Sequence, residues 1–174
     1  RRIDDAKMGG QNSAIEYSER SHLCTAFQPA LCARLVAEEA ARAGLDPQEA
    51  TGGLRTGCDD LPDAFRGTPI CPEDLDMHVV AVQEPTTGTW MFQVVWAALF
   101  GLSSSVMQLG RWSQFLQAIC RRVAALMWSM YVDDGLDVDA AAAGQGGQDL
   151  AAAVFQALGT PLAPAKPMAA ENVF

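Results

Sequence analysis

Leu126-Met127-Trp128-Ser129-Met130-Tyr131-Val132-Asp133-Asp134-Gly135-Leu136-Asp137-Val138 is the stretch on which the reading of this chain turns. Leu126 to Val132 is apolar and aromatic enough for a strand, Asp133-Asp134-Gly135 is strong turn chemistry, and Leu136 to Val138 can return as the partner. The stretch predicts a β-hairpin with two adjacent carboxylates at its tip. Charges placed so close repel, and a divalent cation relieves the repulsion; hard ions such as Mg²⁺ choose carboxylate oxygens. Taken alone, Asp-Asp-Gly is also simply a good turn sequence.

A second acidic group stands upstream in Asp59-Asp60-Leu61-Pro62-Asp63-Ala64-Phe65. Pro62 and Pro69 interrupt Cys58 to Ile70, so a strand is expected to end near Asp60, with a turn or the beginning of a helix after it. Two acidic strand ends meeting in one sheet would give the converging carboxylates that two-metal phosphoryl transfer needs. The plainer alternative is a solvated acidic loop before Pro62.

The rest of the pattern is mixed helix and strand. His78 to Val82 and Trp90 to Trp96 read as strands joined by Pro85-Thr86-Thr87-Gly88, a first hairpin. Ser103-Ser104-Ser105 can cap a helix that carries Val106, Leu109, Leu116, Ile119 and Val123 on one buried side. Pro29 to Gly44 has Leu31, Leu35, Val36 and Ala40 at helical spacing. Gly52, Gly53 and Gly57 suggest a flexible approach to the next element, and Ala140 to Gly147 a linker before a helix from Asp149 to Leu158 stopped by Gly159. Arg1 to Asn12 reads as a short strand leaving into a loop at Gly9-Gly10. There is no internal repeat.

At 174 residues, 49% of them hydrophobic, the chain can bury one core, and its length favours one domain. It opens on Arg1-Arg2-Ile3 without an initiating Met and stops at Glu171-Asn172-Val173-Phe174, which we read as an excerpt of something longer. Acids outnumber bases 21 to 12, a net charge of -9 that argues against extensive phosphate contact by this segment. Five Cys without C-x-x-C spacing, with His22 and His78 as the only histidines, argue against a zinc site or a disulfide framework. The longest apolar run, Met91 to Leu102, is broken by Gln93 and too short for a bilayer, and no secretory segment opens the chain. The expected setting is reducing and intracellular, cytoplasmic or nuclear, with no membrane partner.

Five segments now stand in order: Arg1-Arg2-Ile3-Asp4-Asp5-Ala6-Lys7 with Asn12; Asp60-Leu61-Pro62-Asp63-Ala64-Phe65-Arg66-Gly67-Thr68-Pro69-Ile70; Leu99-Phe100-Gly101-Leu102-Ser103-Ser104; Tyr131-Val132-Asp133-Asp134; and Leu158-Gly159 followed by Lys166. Over nearly the whole chain this set resembles the reverse transcriptases of retroelements: their basic fingers strand, first catalytic motif, template- and nucleotide-contacting motif, Tyr-x-Asp-Asp motif and the motif after it. A lone Tyr-x-Asp-Asp is a weak signal; five elements in order are a strong one.

The resemblance implies an α+β fold, a right-hand polymerase palm with part of the fingers, its antiparallel sheet packed on helices and the thumb absent. Residues 1–57 would be partial fingers and 58–174 palm. It implies RNA-directed DNA polymerase activity of a retrotransposon-like element, with deoxynucleoside triphosphates and a primer on an RNA or DNA template as partners. Asp60 and Asp133 would bridge two Mg²⁺ ions, for which Mn²⁺ can substitute, with Asp134 assisting and the Leu61 carbonyl as a further ligand. One ion would lower the pKa of the primer 3′-hydroxyl and the other would neutralise the leaving pyrophosphate. Phe65 would lie under the incoming sugar and disfavour a 2′-hydroxyl, or else be a core aromatic. Arg1, Lys7 and Lys166 would serve the triphosphate, Phe100 and Gly101 the nucleotide, and Tyr131 and Gly101 the primer and template.

The chain departs from the family pattern at Leu99, where Pro is common, at Pro62 close behind Asp60, and in the Ala/Gly-rich stretch after Asp139. These departures and the net charge suit an alternative: a catalytically inactive relic or a protein-interaction module. Another carboxylate-metal phosphotransferase, such as a nuclease, explains neither Phe65 nor the Phe-Gly-Leu-Ser-Ser segment. Oligomeric state is open.

Overall fold

The computed structural model describes residues 7, 9–18, 20, 24, 25 and 27–163. In chain order the helices are α1 (Gln11–Ala14), α2 (Phe27–Arg42), α3 (Pro47–Thr51), α4 (Ser103–Arg122) and α5 (Gly146–Ala157), and the strands β1 (Leu54–Asp60), β2 (Val79–Gln83), β3 (Trp90–Val94), β4 (Met127–Tyr131) and β5 (Asp134–Ala140). The fold is mixed α+β with antiparallel sheets, as expected. The chain forms two compact units, residues 1–21 with 63–110 and residues 22–62 with 111–174; the division falls within α4.

The first unit is built on the β2–β3 hairpin, in register from Val79 opposite Val94 to Gln83 opposite Trp90. The turn is where the sequence placed it, closed by Glu84 and Thr89 and turned at Gly88, φ 69°. Its small core gathers Leu99 and Leu102 with Ile15, Val80 and Val95. Asn12 lies in α1 and not in a strand. Its Oδ1 accepts the Ser103 amide at 2.9 Å and the Ser103 hydroxyl at 3.2 Å, while its Nδ2 donates to the Gly101 carbonyl at 3.0 Å. The orphan amide of Ser103 at the start of α4 is therefore satisfied by Asn12, from 91 residues upstream, where the sequence pointed to the local serines as the cap.

The second unit centres on the sheet β1-β5-β4, antiparallel throughout. Opposed residues of antiparallel strands share a face, so Leu54, Thr56, Cys58 and Asp60 lie with Asp134, Leu136, Val138 and Ala140, and with Met127, Ser129 and Tyr131. On that face α2 packs Cys32, Ala33 and Val36 against Leu54, Val138 and Met127. Leu35, expected inside, is exposed. The other face, with Asp59, Asp137, Asp139 and Trp128, meets α5: Phe155 lies 5.7 Å, centre to centre, from Trp128, and both are fully buried.

Several boundaries differ from the sequence reading. The β4–β5 hairpin turns one residue early: Tyr131 pairs with Asp134, so the two-residue loop is Val132-Asp133, and Asp134-Gly135 belong to β5. The expected linker from Ala140 is a 3-10 turn, Ala141–Ala143, and α5 already begins at Gly146. Gly57 lies inside β1, and α3 and the 3-10 segment Pro72–Met77 were not foreseen. On α4 the buried side runs through Ser105, Leu109, Ser113, Leu116 and Cys120, while Val106 is 36% exposed and Val123, just past the helix end, 79% exposed.

Candidate functional site

β1 ends at Asp60 and the β4–β5 loop supplies Asp133, and the register brings them to one end of one sheet. Asp60 stands opposite Asp134, and the Leu61 amide donates to the Asp133 carbonyl at 3.0 Å. This is the convergence of acidic strand ends expected from the sequence. Six residues separate Leu54 from Asp60 along β1, about 20 Å at the usual strand rise. At the Leu54 end the face is covered by α2; at the far end Asp134 and Tyr131 are exposed and Asp60 and Asp133 half-buried.

The loop is tight and strained. Val132 has φ 56°, a left-handed conformation that costs a β-branched residue of the order of 1–3 kcal/mol. A two-residue hairpin loop favours positive φ, which is why Asn-Gly is the common sequence there. Neighbours hold the strain: the buried Ser113 hydroxyl on α4 donates to the Val132 carbonyl, and Gln117, one turn on, accepts the Met130 amide at 2.9 Å through Oε1. Leu61 is buried, and the strap after α5 returns to β1, where the Ala163 amide donates to the Asp60 carbonyl at 2.8 Å.

Phe65, Phe100 and Gly101 belong to the first unit and the carboxylates to the second. Phe65 and Phe100 meet edge to face, centroids 4.9 Å apart, so these two candidates are brought together. Gly101 takes φ 106°, open to glycine and strained for other residues. Lys7 is exposed in a turn. Arg1 and Lys166 lie outside the described residues.

A second acidic group, which the sequence reading missed, lies on the opposite face beneath α5. Asp137 is 3% exposed, and its Oδ1 has no hydrogen-bond partner. Burial first, then the neighbouring Asp139 and Asp59, push its carboxyl up to about 6. Asp139 is satisfied by the Ala140 amide at 2.7 Å and the Gly147 amide at 3.2 Å. Burial also raises Asp59, opposed by its hydrogen bond from Gln148 at 3.2 Å. The available signal was the alternation of Asp137 and Asp139 with the apolar Leu136, Val138 and Ala140.

Carboxylate oxygens like those at the Asp60 end are hard donors, the class that Mg²⁺ and Mn²⁺ prefer. Among the described residues no three His, Cys, Asp or Glu side chains are gathered closely enough to hold a metal ion. Among the described residues, too, no helix is long and apolar enough to cross a membrane. Neither a family model nor a curated protein matches the chain.

Proposed function

We propose that this chain is the fingers-and-palm portion of a reverse-transcriptase-like polymerase that extends a primer with deoxynucleotides on an RNA or DNA template. The observation that carries the reading is the register that sets Asp60 opposite Asp134, with Asp133 tied to Leu61, at the uncovered end of the sheet. The acidic strand ends and the resemblance both put these segments, more than seventy positions apart, together, and the antiparallel pairing of β1 with β5 supports that.

In this reading Asp60 and Asp133 would hold two Mg²⁺ ions, with Asp134 assisting. When bound, the ions supply Lewis acidity to the 3′-hydroxyl and charge neutralisation to the triphosphate. The sheet holds the carboxylates in position, and the Val132-Asp133 loop projects Asp133 from the end of two paired strands. Within their own unit Phe65 and Phe100 fix each other's rings, edge to face.

The test is primer extension on an RNA template with Mg²⁺ and deoxynucleotides, with Asp133→Asn beside the unaltered chain. Extension that depends on template and vanishes in Asp133→Asn is the expected outcome. The net charge of -9 favours one competing reading, a relic that keeps the fold as an interaction module. A folded chain that binds primer yet extends nothing would establish that reading.

A further inference from the structure

Asp133 is flanked by two peptide groups, and each has its carbonyl held from a different element. The Val132 carbonyl, in the peptide before Asp133, accepts the Ser113 hydroxyl from α4. The Asp133 carbonyl, in the peptide after it, accepts the Leu61 amide at 3.0 Å from the segment following β1. Fixing the peptide planes on both sides of a Cα fixes φ and ψ there, and with them the direction of the Cα–Cβ bond. Only one of these two holds is made by a side chain, and so only one is chosen by the amino acid at that position.

Ser113 is 3% exposed, and the carbonyl it binds belongs to a residue in a conformation that Val rarely adopts, φ 56°. A strained loop keeps its shape only when its surroundings over-determine it. We propose that Ser113 is a positioning residue: its hydroxyl locks the Val132-Asp133 loop and so aims the Asp133 carboxylate at the Asp60 side of the sheet. The proposal rests on the polymerase reading for what that carboxylate does; the lock itself is a matter of geometry. Gln117 lies one helical turn further along α4 and binds the Met130 amide inside β4. It steadies the strand but neither carbonyl of the loop, which makes it the control.

The experiment compares the unaltered chain with Ser113→Ala, Ser113→Thr, Gln117→Ala and Asp133→Asn, using Mn²⁺ alone as the probe. Two quantities are read: Mn²⁺ affinity by titration, and amide hydrogen exchange at Leu61 without metal. Ser113→Ala is expected to speed Leu61 exchange and weaken Mn²⁺ binding by about tenfold each, the change an ordinary net hydrogen bond gives. Ser113→Thr, which keeps the hydroxyl, restores both, and Gln117→Ala leaves Leu61 exchange unchanged. A general loss of stability would move Leu61 in both alanine variants and would not be rescued by Thr.

Mn²⁺ binding that Asp133→Asn abolishes but Ser113→Ala leaves intact overturns the proposal and keeps the polymerase reading. No Mn²⁺ binding by the unaltered chain overturns both. Should Ser113→Ala fail to fold, Ser113→Thr and the unaltered chain still decide, since Leu61 exchange as fast in the unaltered chain as at an unbonded amide would show that no lock exists.

Discussion

Two hairpins of this protein look alike in sequence and differ in fate. Met127-Trp128-Ser129-Met130 in β4 and Trp90-Met91-Phe92 in β3 are runs of the same large apolar and aromatic kinds beside a tight turn. Yet Trp128 is 0% exposed and Trp90 58%, and Met130 4% where Phe92 is 73%. Strand β4 belongs to a three-stranded sheet with α2 on one face and α5 on the other. β3 has one partner strand, and within its unit the face of Val79, Ala81, Trp90, Phe92 and Val94 is exposed throughout. Apolarity makes a strand; burial needs a second layer.

The sharpest way to break this contrast is to truncate a Trp in each hairpin. Trp128→Ala removes a ring packed on Phe155 and should cost about 3–5 kcal/mol, whereas Trp90→Ala should stay within about 0.5 kcal/mol. Urea unfolding monitored by circular dichroism measures both. Similar losses at the two positions would mean that the exposed ribbon is covered in solution.

The buried sheet has a liability that the ribbon lacks, in Asp137. Its carboxyl is raised to about 6 in the fold from an ordinary 3.8, so between these values the folded chain binds the proton and the unfolded chain does not. Stability from this group is therefore present at low pH and lost as pH rises through about 6. The groups facing it are Asp139 on its own strand, Asp59 on β1 and Cys120 on α4, the last itself pushed up to about 11 by burial and by Asp137. Asp137→Asn keeps the shape without the charge and should stabilise the chain by of the order of 2 kcal/mol at about pH 8, with little effect at about pH 4. Thermal unfolding across that range checks it; a gain that does not depend on pH would show that charge is not the cause.

How much of this was legible follows from which forces are local. The β4–β5 hairpin, the β2–β3 turn and the end of β1 at Asp60 were readable because apolar runs and turn residues act over a few positions. The glycines misled. Gly135 was read as part of a turn, but it is flat against the Trp128 ring, where a Cβ would collide with the indole. Gly147 was read as linker, but a Cβ there would lie 2.6 Å from the Asp137 carboxylate. Both are required by close approach of a side chain from a neighbouring element, seven residues away for Gly135 and ten for Gly147, which turn and linker patterns do not encode. The buried stripe of α4 likewise includes Ser105 and Ser113, while Val123, just past the end of the helix, is exposed. For the site, the acidic hairpin tip and strand end point to Asp60, Asp133 and Asp134 and the resemblance strengthens the set, whereas Ser113 goes unmarked because a helical Ser carries no signal of what it touches.

Asn12 tests what holds the ribbon's own unit together. It joins α1 to the start of α4 by three hydrogen bonds, so Asn12→Ala should cost about 1–2 kcal/mol, the usual cost of losing an N-cap. Hydrogen exchange should rise at Ser103 and Ser105 while Met130 and Val138 in the other unit stay protected. A uniform rise would mean that the two units unfold as one.

The smallest effect is expected on the ribbon itself. Phe92→Ser removes the most exposed large apolar side chain of β3 and should leave stability within about 0.5 kcal/mol. What it should change is solubility, because an uncovered apolar face on a two-stranded ribbon with open edges favours self-association. The two effects separate in a dilution series: unfolding that does not depend on concentration, with a higher solubility limit for Phe92→Ser, is the outcome for a face exposed in the free chain. A loss above about 1 kcal/mol that fades on dilution would show that copies of the chain cover this face for one another, since stability gained by association depends on concentration. The ribbon would then have the second layer that sets β4 apart, and its apolar residues would be buried for the same reason.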